Sequence, residues 1–171
     1  MDTTKFRNYL INFRDNIENI FKFSEIVNDD EKEMGCKWIE SNNNLIKSTE
    51  LLYRLTRDGD TPQAFHSKCD GKGKTITFIK NYSNGYRFGG FTTVHWEGNN
   101  LYKSDSQAFV FSLNNKKKFP IKNTNDSSAV TFIKIMVLYL VQIVIFFLGL
   151  VEFGAQKKML HAIQIITLVQ Y

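Results

Sequence analysis

His66 and Cys69 stand three residues apart in the run Phe65-His66-Ser67-Lys68-Cys69-Asp70. A helix there would put imidazole and thiol on one face, with a carboxylate adjoining. Such a trio could act as a cysteine nucleophile with a histidine base, or as a thiol that reacts with oxidants, and Lys68 would favour the thiolate. Both chemistries need a third group to orient the base, and the sequence assigns none, so packing is the favoured role for Cys69. Asp70-Gly71-Lys72-Gly73 has the composition of a phosphate loop. It lacks the GxxxxGK[ST] spacing and precedes a strand rather than a helix, so turn chemistry explains it. Arg57-Asp58-Gly59 is likewise read as a turn. His95-Trp96-Glu97 offers an acid or base, but with no second carboxylate placed beside it the segment reads as a strand end with a packed indole. Three histidines and two cysteines are scattered without ligand spacing, so neither a metal nor another cofactor is expected.

The elements that must position these residues run from Leu51 to Leu113. An apolar start, Leu51-Leu52-Tyr53-Arg54, leads to the turn at Asp58-Gly59, and a short helix is expected from Pro62 to Lys68. Thr75 to Lys80 alternates β-branched and aromatic residues as a half-buried strand does. Asn84-Gly85 supplies positive φ for a hairpin turn into Tyr86-Arg87-Phe88. Gly89-Gly90 permits a bulge or a close backbone approach before the strand resumes at Phe91. Ala108 to Leu113 alternates again.

These residues resemble the TLDc domain, the module shared by the oxidation-resistance proteins. The resemblance is carried by LLYR at 51–54, RDG at 57–59, FHSKCDGKG at 65–73, TITFIK, GYRFGG, Trp96, YKSD and AFVFSL, in order and at fitting spacings. It covers the middle of the chain, and the glycine-rich final part of the family pattern is absent. The resemblance implies an α+β fold, an antiparallel β-sandwich flanked by short helices. It also implies a non-catalytic interaction module linked to oxidative-stress protection and to binding and regulation of the vacuolar proton-pumping ATPase (V-ATPase). Asp58, Gly59, Phe65, His66, Cys69, Asp70, Gly73, Gly89, Gly90, Trp96, Asp105 and Phe109 are then scaffold positions of the motif. The resemblance implies no catalytic residue.

At 171 residues the chain accommodates one domain with attachments. Lys and Arg number 22 against 17 Asp and Glu, a net +5. Lys116-Lys117-Lys118 is not interleaved with aromatics, so it reads as a solvated loop and no nucleic-acid partner is expected. Two cysteines without metal spacing suit a reducing compartment, and no secretory signal opens the chain. The domain is therefore expected in the cytoplasm. Residues 1–42 form a helical N-terminal segment in this reading. Phe6, Leu10, Phe13, Ile17, Ile20 and Phe21 mark an amphipathic helix over Thr4–Ile26, and a second helix follows from Glu31 to Asn42. Heptads are not sustained, so packing on the domain is favoured over a coiled coil or a partner-binding helix.

Residues 43–128 hold the TLDc-like region, and the composition then changes. Residues 129–153 read as an apolar C-terminal helix of the roughly 20 residues a bilayer requires. Ala129–Val151 would tether the domain as a membrane-bound adaptor, its lysine-rich side cytosolic. A second reading treats everything from about Val130 onward as out-of-frame. The bases encoding Thr131–Gln142 accommodate, in a shifted frame, His-Lys-Asn-Tyr-Gly-Pro-x-Phe-Gly, the type of segment that closes the family pattern. Residues 154–171 form a tail with few signals, in which His161 stands alone.

Overall fold

The computed structural model describes residues 19–41, 46–81, 84–97, 102–121, 130–131 and 160–169, the last two stretches and Tyr102 as backbone only. Helix α1, Asp29–Glu40, begins where its sequence dictates. The Asn28 side chain accepts from the Glu31 N–H at 3.0 Å, and the Glu31 carboxylate accepts from the Asn28 N–H at 3.0 Å. Such a reciprocal cap satisfies two of the orphan donors at a helix start. The second expected helix is thus present, shifted by two residues. The first is not continuous to Ile26. Phe21 already has a left-handed backbone, φ 59, and lies fully buried. Residues 4–18 of that expected helix lie outside the described residues.

Strand β1, Ser48–Arg54, is followed by a single helical turn, α2, Leu55–Asp58, and by α3, Pro62–Cys69. Then come β2, Thr75–Asn81; β3, Arg87–Thr92; β4, Tyr102–Lys103; β5, Phe109–Ser112; β6, Lys117–Pro120; β7, Val130–Thr131; and β8, Leu160–Val169. Six strands form one antiparallel sheet in the order β1-β8-β2-β3-β5-β6, and β4 pairs with β7 in a two-stranded ribbon. The α+β, antiparallel expectation holds. Among the described residues the helices flank the six-stranded sheet on both faces, α1 on one and α3 on the other.

Alternation along the strands sorts their side chains onto two faces. Ile76, Phe78, Phe91, Phe109 and Phe111 fall on one face and form a single buried cluster with Phe21, Cys36 and Ile39. Edge-to-face rings fill it, with Phe78 5.3 Å from Phe21 and 5.8 Å from Phe111. The N-terminal helical region therefore packs on the sheet, α1 supplying part of the core. Arg87 on β3 reinforces that seam through a 2.7 Å ion pair with the buried Glu31. Lys118 on β6 reaches the other end of α1, donating to the Trp38 carbonyl at 3.2 Å and to the Ser41 hydroxyl at 2.7 Å. A cation there also complements the negative end of the helix dipole.

The Gly89-Gly90 pair forms no bulge, since register with β2 and β5 is continuous across it. The irregularities lie in β1, between Leu51 and Tyr53, and at the end of β2, between Lys80 and Asn81. Close approach is what Gly89 provides. A Cβ there would stand 1.9 Å from the Thr77 carbonyl oxygen and 2.6 Å from Phe111 Cζ. Lys117 and Lys118 belong to a strand rather than a loop, and Lys116 occupies the turn before it with φ 51.

The apolar stretch departs from a helix at its described start, because Val130 and Thr131 are strand residues paired with Lys103 and Tyr102. The rest, residues 132–153, lies outside the described residues. No helix among those described is long and apolar enough to cross a membrane. The largest surprise is β8, which runs through the featureless tail and lies between β1 and β2 at the sheet's interior. His161 falls within it.

Candidate functional site

On the sheet face opposite the α1 core, the two glycine-bearing turns, α3 and Trp96 converge. The first turn is organised by Asp58. Its Oδ2 accepts from the Arg54 N–H at 2.8 Å and from Arg57 Nη2 at 2.7 Å, while Oδ1 accepts from Arg57 Nε at 2.9 Å. The Arg57 guanidinium bonded to it holds the Asp58 carboxyl below the usual carboxylate range. Gly59 follows at φ 95, a backbone region that disfavours side chains. Its carbonyl accepts the hydroxyl of fully buried Tyr53 at 2.6 Å. Burial pushes that phenol up to about 12.

Helix α3 starts with Thr61, whose hydroxyl accepts from the Ala64 N–H at 3.1 Å, and Pro62 fills its first turn. Its inward residues are Phe65 and Cys69. Phe65 is the hub, edge-to-face with Tyr53 at 5.7 Å and with Trp96 at 5.3 Å. Cys69 is wholly inaccessible, and burial, then the Asp70 and Asp58 carboxylates, push its thiol up to about 12. A sulfur so placed packs as a small hydrophobe. His66 does share the helix, but its Nδ1 bonds Asp70 Oδ1 at 2.7 Å, which pins the residue that ends α3. Asp70 forms a parallel bridge with Trp96, and the Gly71 N–H donates to the Trp96 carbonyl at 3.0 Å. Gly71, at φ 69, needs its glycine; Gly73 has open space around it and no positive φ, so nothing in the structure requires glycine there.

Trp96 donates from Nε1 to the hydroxyl of buried Thr75 at 2.9 Å, fastening this cluster to β2. Asp105 does the same for the neighbouring strand β3, where Thr92 lies directly opposite Thr75. Its Oδ2 accepts from Thr92 Oγ1 at 2.8 Å and from the Thr93 N–H at 2.6 Å. Its Oδ1 accepts from Thr93 Oγ1 at 2.8 Å and from the Gln107 N–H at 3.1 Å. Four donors on one buried carboxylate make a rigid clasp. Glu97 pairs with Lys103 and with His95 instead of joining His66 and Cys69. Gly90 lies on this face, while Gly89 and Phe109 belong to the α1 face.

The motif residues therefore fall into three groups. Asp58, Gly59, Phe65, His66, Cys69, Asp70 and Trp96 meet in one cluster, Asp105 closes the β3 end, and Gly89 and Phe109 serve the core, while Gly73 and Gly90 belong to none of the three. Among the described residues, no group of three or more His, Cys, Asp or Glu could hold a metal ion. Sequence reasoning missed Tyr53, Thr75, Thr92 and Thr93, the partners that make the scaffold rigid. The signal available was the pairing of strand-end threonines with an aspartate a dozen residues on, a hydroxyl-carboxylate pattern without a helical or strand period.

Comparison with known proteins matches what this geometry would suggest. The family model for the TLDc domain matches residues 20–138, more than half of the chain, and it begins within the segment that packs α1 onto the sheet. Among curated proteins, the MTOR-associated protein MEAK7 of Danio rerio is 30% identical over 63 residues. That match covers 37% of this chain and 14% of MEAK7, so the chain spans only a small part of that relative's length. With the fold, the turn chemistry and the family match in agreement, this chain belongs to the TLDc domain family.

Proposed function

We propose that this chain is a non-catalytic TLDc-type interaction module that acts by binding other proteins. The observation that carries this reading is the condition of Cys69. The best candidate nucleophile is fully buried, and its thiol is pushed up to about 12. Its neighbours His66 and Asp70 bond each other in a turn. The chemistry-bearing residues thus hold loops in place, as a docking scaffold requires. By family resemblance the partners are subunits of the vacuolar proton-pumping ATPase, and the cellular role is protection against oxidative stress on the cytosolic side of the pump's membrane. The relative's name, which records an association with MTOR, also favours a role exercised through protein contacts.

The test is capture of purified proton-pump subunits by the immobilised full chain. Retention of at least one subunit after washing supports the reading, and failure to retain any would remove the partner assignment. The thiol alternative is checked in parallel. Purified protein should consume no peroxide beyond a Cys69→Ser control; a thiol-dependent difference between the two would make Cys69 a reaction centre and overturn the non-catalytic assignment.

A further inference from the structure

Strand β6 is the outermost of the six, and among the described residues nothing pairs with its outer edge. Its register with β5 fixes which way each side chain points. Lys118 and Pro120 lie opposite Phe111 and Phe109 on the α1 face, while Lys117 and Phe119 lie opposite Ser112 and Val110 on the other. Lys118 is engaged with α1 and lies over the Phe109 ring. Lys116, Lys117 and Phe119 are exposed, and Phe119, at 39%, is one of two large hydrophobic side chains so exposed among the described residues. From Asn114 to Asn125 the chain carries four lysines and no acidic residue.

Phe119 also ends a cross-strand row. Thr77, Gly90, Val110 and Phe119 stand side by side on β2, β3, β5 and β6, with exposure rising toward the edge. Gly90 contributes no side chain, so Phe119 and half-buried Val110 form the lip of a shallow apolar strip. A strand added along β6 would set one side chain against Phe119 and another, two positions away on the same face, against Lys117. Lysines and a proline on an edge strand ordinarily guard against self-pairing. The same charge that repels a second lysine-bearing edge attracts an acidic one, which turns a guard into a selector.

We infer that the β6 edge receives an extended acidic segment of a partner protein, added as a seventh strand, with an apolar residue against Phe119 and a carboxylate two positions away against Lys117. This inference names the surface and partner chemistry for the interaction role proposed above and rests on it. Pairing is confined to four residues that end in a proline lacking an N–H, so the contact is short and its charges steer much of its strength.

The experiment uses the full chain and a labelled octapeptide, Val-Thr-Glu-Thr repeated twice, whose one face carries valine and glutamate two positions apart, read by fluorescence anisotropy at low and high salt. Binding should weaken about tenfold or more for the Lys116→Glu/Lys117→Glu variant, for Phe119→Ser, and for a peptide N-methylated on its pairing edge. Raising salt should weaken it as well. Circular dichroism establishes that both variants remain folded, which their exposed positions favour. Equal binding of the N-methylated peptide, or of the same peptide with lysine in place of glutamate, overturns the inference. So does a single-stranded oligonucleotide that competes as well as the acidic peptide, or dimerisation of the chain that the lysine variant abolishes. Proton-pump capture separates the two levels: capture unchanged in the lysine variant removes the β6 surface and leaves the interaction role standing. Capture absent from the unaltered chain removes the pump assignment, while the peptide measurement still decides the edge.

Discussion

Adjacent glycines in the middle of β3 should respond oppositely to the same added methyl group. At Gly89 a Cβ would lie 1.9 Å from the Thr77 carbonyl oxygen and 2.6 Å from Phe111 Cζ. A carbon–oxygen contact settles near 3.3 Å, so β2 and β3 would have to separate by about 1.4 Å at that point. The obstacle is strand backbone with β8 hydrogen-bonded behind it, not the tip of a flexible side chain. Overpacking a closed core costs about 1–3 kcal/mol, and an immovable neighbour places Gly89→Ala at about 3 kcal/mol. For a chain of this size that lowers Tm by roughly 6–12 °C. At Gly90 the nearest atoms are the Phe109 carbonyl oxygen at 3.5 Å and Val110 Cγ1 at 3.8 Å, ordinary contacts. Gly90→Ala should stay within about 1 kcal/mol of the parent, helped by the smaller entropy of its unfolded state. Urea unfolding followed by tryptophan fluorescence, with thermal melts by circular dichroism, measures both. If Gly89→Ala costs no more than Gly90→Ala, the close approach of β2 to β3 is wrong and the sheet register with it.

Asp105→Ala strands four donors, Thr92 and Thr93 hydroxyls among them, and should cost about 3 kcal/mol in the same urea experiment. A loss below about 0.5 kcal/mol would mean water already satisfies the clasp. Trp96→Phe leaves the buried Thr75 hydroxyl without its indole donor and should cost about 1–3 kcal/mol, and adding Thr75→Val should recover part of that loss. Finally, Cys36 and Cys69 are both raised by burial from 9.0 to about 12. A folded value above the unfolded one means that their contribution is fully present below pH 9 and is lost as pH rises toward 12. The Cys36→Ala/Cys69→Ala variant, compared with its own stability at pH 8, should decline less steeply across that window; an identical slope would show that the thiols are already accessible.

Local chemistry was legible where a residue type has few alternatives. Gly59, Gly71 and Gly85 take positive φ where the turn residues demand it, Pro62 opens a helix, and Thr75 to Lys80 forms a strand, although one buried on both faces rather than half-buried because β3 and β8 flank it and both layers cover it. The scaffold cluster was legible as a set through its motif but not as a geometry, because hydrogen bonds such as Trp96 to Thr75 join residues 21 apart without any periodic trace. The Gly89-Gly90 pair misled: glycine in a strand signals either a bulge or a close approach, and only the neighbouring strand decides which. Lys116-Lys117-Lys118 misled similarly, since charge suggests solvent, while an edge strand exposes most of its residues anyway. Strand β8 was hidden for a different reason. Leu160–Val169 is mostly apolar with no strict alternation, the pattern of a strand inside a sheet, and without flanking turn residues it reads as nothing in particular.

That placement of β8 has a consequence for how the molecule is made. The ribosome releases β1 and β2 early, yet the strand that joins them ends at Val169. At ordinary translation speeds the stretch from Asn81 to Val169 takes roughly 4–18 s to emerge, and throughout that interval the nascent sheet is split with the β2 flank uncovered. A chaperone holding that flank would be a natural companion of synthesis. Termination before Leu160 would yield sticky debris in place of a smaller working module, because the keystone of the arch would be missing.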